Sequence, residues 1–300
     1  MSVLLYEEVR TALECFPMSV VAILGAGPIG AAIAHKLAER GRIREIRLID
    51  GTPAVASGKA LDVMQSGPIF HFDTQLSATD NPLAAAGADV IVFADDIASG
   101  EWQGEQGLAR VQQLVRAGTA APFVFAGPSQ TWLIETAHTE LKVPADRLIG
   151  TAASGLAGAL RAVASVELGF TGVEFAVTGR PPAFVIGWSS AAVAGALVTD
   201  RVPAHRLLAI SQSIRKLWPP AAQAIAAPTA QIIEGLVVGS RKLHQAVTIL
   251  EGEFGVRRVA AMLPLRLGHG RVLERVLPSL SPQERTQLIN ELGTEPVRRS

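Results

Sequence analysis

The chain has 300 residues, 49% of them hydrophobic, a single cysteine and equal numbers of acidic and basic side chains. That apolar content supplies one large core or two ordinary ones and excludes a disordered chain, while the lone Cys15 excludes an internal disulfide. Residues up to Gly150 carry a net charge of −6 and the remainder +6, with the later basic residues dispersed, which argues for a dipole between two domains and against a nucleic-acid partner.

The opening stretch MSVLLYEEVRTALECF places Glu7, Glu8 and Arg10 inside an apolar pattern, so it reads as a short amphipathic extension over residues 1–18 and not as a signal peptide. No later apolar run reaches membrane-spanning length without a charge or a glycine, and no His/Cys cluster has zinc-ligand spacing. The residues therefore imply a cytosolic chain that engages neither membrane nor metal.

From Ser19 the pattern becomes strand (SVVAILGAG), helix (IGAAIAHKLAERG, closed by Gly41) and strand (EIRLID), a βαβ unit. Further strands are expected at DVIVFA (89–94), PFVFAG (122–127) and RLIG (147–150), the last of this half, with a helix at 107–118. Alternation of this kind describes an open, doubly wound parallel α/β sheet of Rossmann type over residues 19–150. After Gly150 the Ala-rich AASGLAGALRAVASVELG, the strand-like VEFAVTG and AFVIGWSS, and the helix-like QIIEGLVVGSRKLHQAV predict a mixed α+β second domain over 151–300.

GAGPIG sets Gly25, Gly27 and Gly30 in G-x-G-x-x-G spacing between strand and helix, with Asp50 about twenty residues on. The three glycines serve in turn a tight bend, close backbone approach to a pyrophosphate, and packing of helix on strand. The helix N-terminus, with Pro28 and Ile29 in its first turn, offers N–H groups to an anion. Asp50 can accept from an adenosine ribose and would repel a 2′-phosphate, which favours NAD over NADP. The alternative is that these glycines serve strand-to-helix packing alone.

VAILGAGPIG, EIRLID and GKALDVMQSGPI (58–69), followed by DRLIG, WSS (188–190), AQIIEGLV and LGHGRVLERVLPSLSPQER, closely resemble the malate and lactate dehydrogenase family over residues 19–293. The resemblance implies reversible reduction of 2-oxo acids with NADH, an acid histidine held by an aspartate, and arginines that clamp the substrate carboxylate. Laid on this chain, the histidine falls on Arg180, followed by Pro181 and Pro182; its aspartate falls on Leu156, and the arginine three residues beyond on Ala159. Arginine is never deprotonated at working pH and cannot relay a proton.

The family's mobile loop carries two arginines, whereas DDIASGEWQGEQG holds Asp95, Asp96, Glu101 and Glu105. The asparagine that touches the nicotinamide ribose falls on Gly127, and the small residue and glycine beside the pyrophosphate fall at Ala94 to Asp96. The adenosine half of an NAD site is thus expected to survive better than the nicotinamide half. No histidine stands out as a replacement acid: His35, His71, His138, His205, His244 and His269 read as surface, solvated or turn residues, with His244 on an exposed helical face. Trp102 and Trp188 read as packing residues.

Arg180 is either an anchor for a small anion or a surface arginine in a vacated position. Three readings follow: an NAD(H)-binding relative without ordinary dehydrogenase activity, an oxidoreductase acting on a different hydroxy or keto substrate, and a structural subunit. The family's use of the GKALDVMQSGPI helix at its dimer interface implies a homodimer or homotetramer.

Overall fold

The computed structural model describes residues 19–293; the amphipathic extension and Cys15 lie outside them. The first half runs β1 (Val20–Leu24), α1 (Pro28–Arg40), β2 (Glu45–Ile49), α2 (Pro53–Phe70), β3 (Gln75–Thr79), β4 (Val90–Phe93), β5 (Asp95–Asp96), β6 (Gly100–Glu101), α3 (Gly104–Arg116), β7 (Phe123–Phe125), α4 (Thr131–Thr139) and β8 (Leu148–Gly150). The parallel strands order as β3-β2-β1-β4-β7-β8, the doubly wound arrangement, whose order reverses between β1 and β4.

Strand alternation explains the two layers. Ala22, Leu24, Ile91, Phe93, Phe123 and Phe125 face one core and Val21, Ile23, Val90, Val92 and Val124 the other, all essentially inaccessible. A sheet covered on both faces needs such continuous apolar strands. Phe93 stacks on Phe125 at 5.1 Å and meets the edge of Phe123 at 5.8 Å, which fixes the centre of the first layer.

The second half runs α5 (Ala152–Leu168), β9 (Val177–Thr178), β10 (Val185–Ile186), β11 (Ala192–Val193), β12 (Ala196–Leu197), α6 (Ala204–Leu217), α7 (Ala222–Val238), β13 (Leu243–Glu251), β14 (Arg257–Gly268), β15 (Arg271–Arg275) and α8 (Pro282–Gly293). The sheet does not stop at β8. β13 pairs antiparallel with it through Val247 and Gly150, and β14 and β15 extend the sheet to nine strands. The helical reading of QIIEGLVVGSRKLHQAV is therefore half right: Gly239, at φ 85°, ends α7, and the stretch beyond it, buried from Ala246 to Leu250, forms β13. No single helix among the described residues is long and apolar enough to cross a membrane.

One ion pair ties the first helix to the second half. Arg40, in the last turn of α1, grips Glu234 of α7 with two hydrogen bonds of 2.5 and 2.6 Å, and Glu234 is only 5% exposed. Deleting the arginine strands a buried carboxylate. Arg40→Ala is expected to lower stability by roughly 1–3 kcal/mol in urea unfolding, with Arg42, 3.9 Å from the same carboxylate, softening the loss. Adding Glu234→Gln should recover part of it.

Candidate functional site

The fingerprint turn lies at the β1/β4 reversal, where open sheets of this type place their ligands. Gly25 adopts φ 101° and donates its N–H to Ile49 O at 2.7 Å. A Cβ on Gly30 would run into the Gly25 carbonyl. Turn and packing glycines thus act as their spacing implies.

Gly27 is different. Its N–H donates to the backbone carbonyl of Asp95 at 2.7 Å, and a Cβ there would lie 2.6 Å from Asp95 Cγ. The Asp95 carboxylate accepts from Ile29 N–H (3.0 and 3.1 Å) and Gly30 N–H (2.9 Å), the second and third residues of α1. Those are the donors that an N-cap side chain ordinarily satisfies. The first turn of α1 holds no acidic residue of its own, and Pro28 at its start has no N–H. Asp95, 7% exposed and arriving from the end of β4, supplies the missing negative charge.

Asp50 is equally committed. Its Oδ2 accepts from Ala26 N–H (2.8 Å) and Ile97 N–H (2.9 Å), and its Oδ1 from the N–H (2.9 Å) and hydroxyl (2.7 Å) of Thr52. Four bonds fill the lone-pair capacity of a carboxylate, and the residue is 2% exposed. From α2, Lys59 Nζ donates to Ala26 O at 2.5 Å and so brings a cation to this turn.

The acidic loop folds inward. Asp95–Asp96 and Gly100–Glu101 form a two-stranded hairpin. Burial pushes the Asp96 carboxyl up, but bonds from Ser99 N–H and hydroxyl, Gly51 N–H and Ala98 N–H outweigh it and hold the group below its ordinary value. Trp102 is a packing residue, as expected, its Nε1–H donating to Leu24 O at 3.0 Å. Gln130, 1% exposed and not singled out by sequence, closes the base: Nε2 donates to Ala94 O and Trp102 O, and Oε1 accepts from Gly127 N–H.

Glu101 sits over Gly127, where a side chain would collide with its Oε2, and accepts from Ser129 N–H at 2.9 Å. Burial, aided by the charge of Asp95, pushes its carboxyl above the ordinary value against the Ser129 bonds. A raised carboxylate pKa means that ionisation costs folding stability. The cost is absent below the unfolded value and complete above the folded one. Glu101→Gln is therefore expected to raise the melting temperature at pH 8. That gain should shrink as pH falls through the raised folded-state value and be gone below about 4, the ordinary glutamate range, which thermal unfolding across pH checks.

On the substrate side, Arg180 is neither a surface residue nor open to a foreign anion. Its guanidinium, 11% exposed, pairs with Glu135 of α4 at 2.6 Å, and the other Glu135 oxygen accepts from Ala260 N–H at 2.9 Å. Burial pushes the Glu135 carboxyl up, against the pull of the Ala260 N–H and Arg180. Sequence reading passes over Glu135, although a lone carboxylate in the apolar run WLIETA is a signal. Leu156 is fully buried among core side chains, and Ala159 is half-buried on the same helix. Where Gly127, Pro128, Pro181 and Trp218 converge, the cavity measures about 10 Å³, at the lower limit for one water.

The histidines lie apart from this cleft. His35 pairs with Glu39 along α1, His71 ends α2 in a left-handed conformation, exposed His205 begins α6, and His269 forms the tight turn between β14 and β15. His138 is half-buried and bonds Val143 O at 2.9 Å, so it is less solvated than expected. His244 is on β13, not on a helix; it is half-buried, lies 2.8 Å from Ser240 Oγ, and is held below its ordinary value by burial and by Lys242. Trp188 packs against Phe175 and donates to Ser211 Oγ, as a packing residue does.

Residues 19–112 match the family model for the lactate/malate dehydrogenase NAD binding domain. A malate dehydrogenase of Thermomicrobium roseum is 30% identical over 291 residues, covering 89% of this chain and 93% of that protein. A malate dehydrogenase of Chlorobium phaeobacteroides is 25% identical, with 88% and 92% covered. Among solved structures, the malate dehydrogenase of Salinibacter ruber superposes with a TM-score of 0.77 at 23% identity, covering 91% of this chain and 94% of that one. The minor L-lactate dehydrogenase of Enterococcus mundtii gives 0.80 at 19%, with 91% and 95% covered. These two structures share the fold.

Proposed function

The chain belongs to the lactate/malate dehydrogenase family, and on that premise we propose that it retains the family's NAD-binding domain but has given up ordinary 2-hydroxy-acid dehydrogenation. The observation that carries this reading is the cavity of about 10 Å³ at Gly127, Pro128, Pro181 and Trp218. That corner of the cleft has room for about one water. Beside it, the position that the resemblance assigns to a proton-relaying histidine holds Arg180, committed to Glu135. The positions of the partner aspartate and substrate arginine hold Leu156 and Ala159. Loss of an acid–base group alone removes about two to four orders of magnitude in rate. Sequence favours the adenosine half of the NAD site over the nicotinamide half, with Gly25, Gly27, Gly30 and Asp50 as its residues; the internal bonds of Asp50 and Asp95 count against an open site in either half.

The reading is tested by following NADH absorbance with oxaloacetate and with pyruvate. It expects no turnover above background, for the wild type and for Arg180→His, because restoring one group neither reopens the cavity nor returns its partners. Turnover in the ordinary enzyme range of about 1–10³ s⁻¹ overturns it.

We also assign a homodimer, formed by α2 against a second copy. Four large apolar residues of this helix, Val55, Leu61, Ile69 and Phe70, are 47–75% exposed, while only Ala56, Ala60 and Gly67 are buried. The resemblance implies a dimer interface on this helix, and its exposed apolar side chains support that reading. Light scattering after size exclusion should give twice the chain mass for the wild type and a monomer for Leu61→Glu/Phe70→Glu. A monomeric wild type contradicts the assignment.

A further inference from the structure

The family's dinucleotide does not fit this fingerprint as it stands. A pyrophosphate at a G-x-G-x-x-G turn takes the free N–H groups at the helix N-terminus and the space left by the second glycine. Here Asp95 holds the N–H groups of Ile29 and Gly30 with its carboxylate and that of Gly27 with its carbonyl. Its Cγ lies 2.6 Å from where a Gly27 Cβ would stand, so the carboxylate fills the very space that this glycine opens. Asp50 has no lone pair left for a ribose hydroxyl, since Ile97 from the same hairpin takes one of its four bonds.

We propose that Asp95 is a tethered anion that occupies the phosphate cradle, so that a dinucleotide binds only by displacing it. The inference deepens the reading of a retained NAD-binding domain and rests on it. Tethering places the carboxylate at the cradle at an effective concentration of about millimolar or more, against which a free diphosphate must compete. Displacement has a second cost. Asp95 and Ile97 belong to one hairpin, so lifting the carboxylate also disturbs the Ile97 bond to Asp50, the Ser99 bonds to Asp96 and the seat of Glu101 over Gly127. Asp95 is in this sense the residue that sets the chain's dinucleotide affinity, although it touches no dinucleotide itself.

The test titrates NADH and, separately, inorganic pyrophosphate into the full-length wild type, Asp95→Ser, Asp95→Asn and Asp96→Asn by calorimetry. Melting curves recorded beforehand establish that each variant is folded. Asp95→Asn keeps shape and acceptor while removing the charge, so it serves if Asp95→Ser does not fold. Asp96→Asn removes the same charge from the hairpin without vacating the cradle. The expected result is weak binding by the wild type, NADH affinity raised on the order of tenfold or more in Asp95→Ser, a smaller gain in Asp95→Asn, and little change in Asp96→Asn. Pyrophosphate should raise the melting temperature of Asp95→Ser and leave the wild type unmoved. Equal affinity in wild type and Asp95→Ser overturns the proposal, whether both bind tightly or neither binds. An equal gain in Asp96→Asn also overturns it, by making general charge and not occupancy the cause. Because the readout is binding and not turnover, the proposal can fail while the loss of dehydrogenation stands, and the reverse.

Discussion

The first N–H groups of an α-helix point away from every carbonyl that the helix can offer, and when they are buried they must meet an acceptor from elsewhere. Leaving one unmet costs about 1–3 kcal/mol. At α1 this constraint is sharp, because Ile29 and Gly30 in its first turn are buried and no acid stands in that turn. A dinucleotide-binding protein satisfies it with a ligand; this chain satisfies it with Asp95.

Much of the cleft follows from that choice. Bringing Asp95 onto the helix makes the segment after β4 turn back sharply, which produces the hairpin of Asp95–Asp96 with Gly100–Glu101. The hairpin delivers Ile97 N–H to Asp50 and lays Glu101 over Gly127. Trp102 is then drawn down onto Leu24 O, and Gln130 bonds both Ala94 O and Trp102 O. On the substrate side the logic repeats: Arg180 meets Glu135, and Pro181 and Trp218 close the remaining space. In each case a buried polar group is met from within the chain.

The parallel half of the sheet is legible in the sequence because its strands are short, β-branched and flanked by glycine, while α1 and α3 carry clear helical periodicity. β3 is not, since QLSAT is polar and lies at the sheet edge, with one buried residue out of five. β13 hides behind α7 with only Gly239 to mark the break, and β14 is obscured because Ala260, Ala261 and Pro264 dilute its strand character. The fingerprint spacing marks the turn at the β1/β4 reversal. It does not say what fills the cradle, because G-x-G-x-x-G records only that something approaches the backbone closely, and a carboxylate approaches as well as a phosphate. Asp95 is recognisable as a misplaced charge, but its bonds to Ile29 and Gly30 link residues 66 and 65 positions apart, beyond the reach of local pattern.

The most direct test of the account is to follow the backbone amide resonances of Gly27, Ile29 and Gly30 by NMR as NADH is added to the wild-type protein. With Asp95 seated in the cradle, those three amides keep their shifts at equimolar NADH. If instead they move together at substoichiometric NADH, a phosphate has taken the place of the carboxylate without resistance, and Asp95 is not the cradle's resident anion.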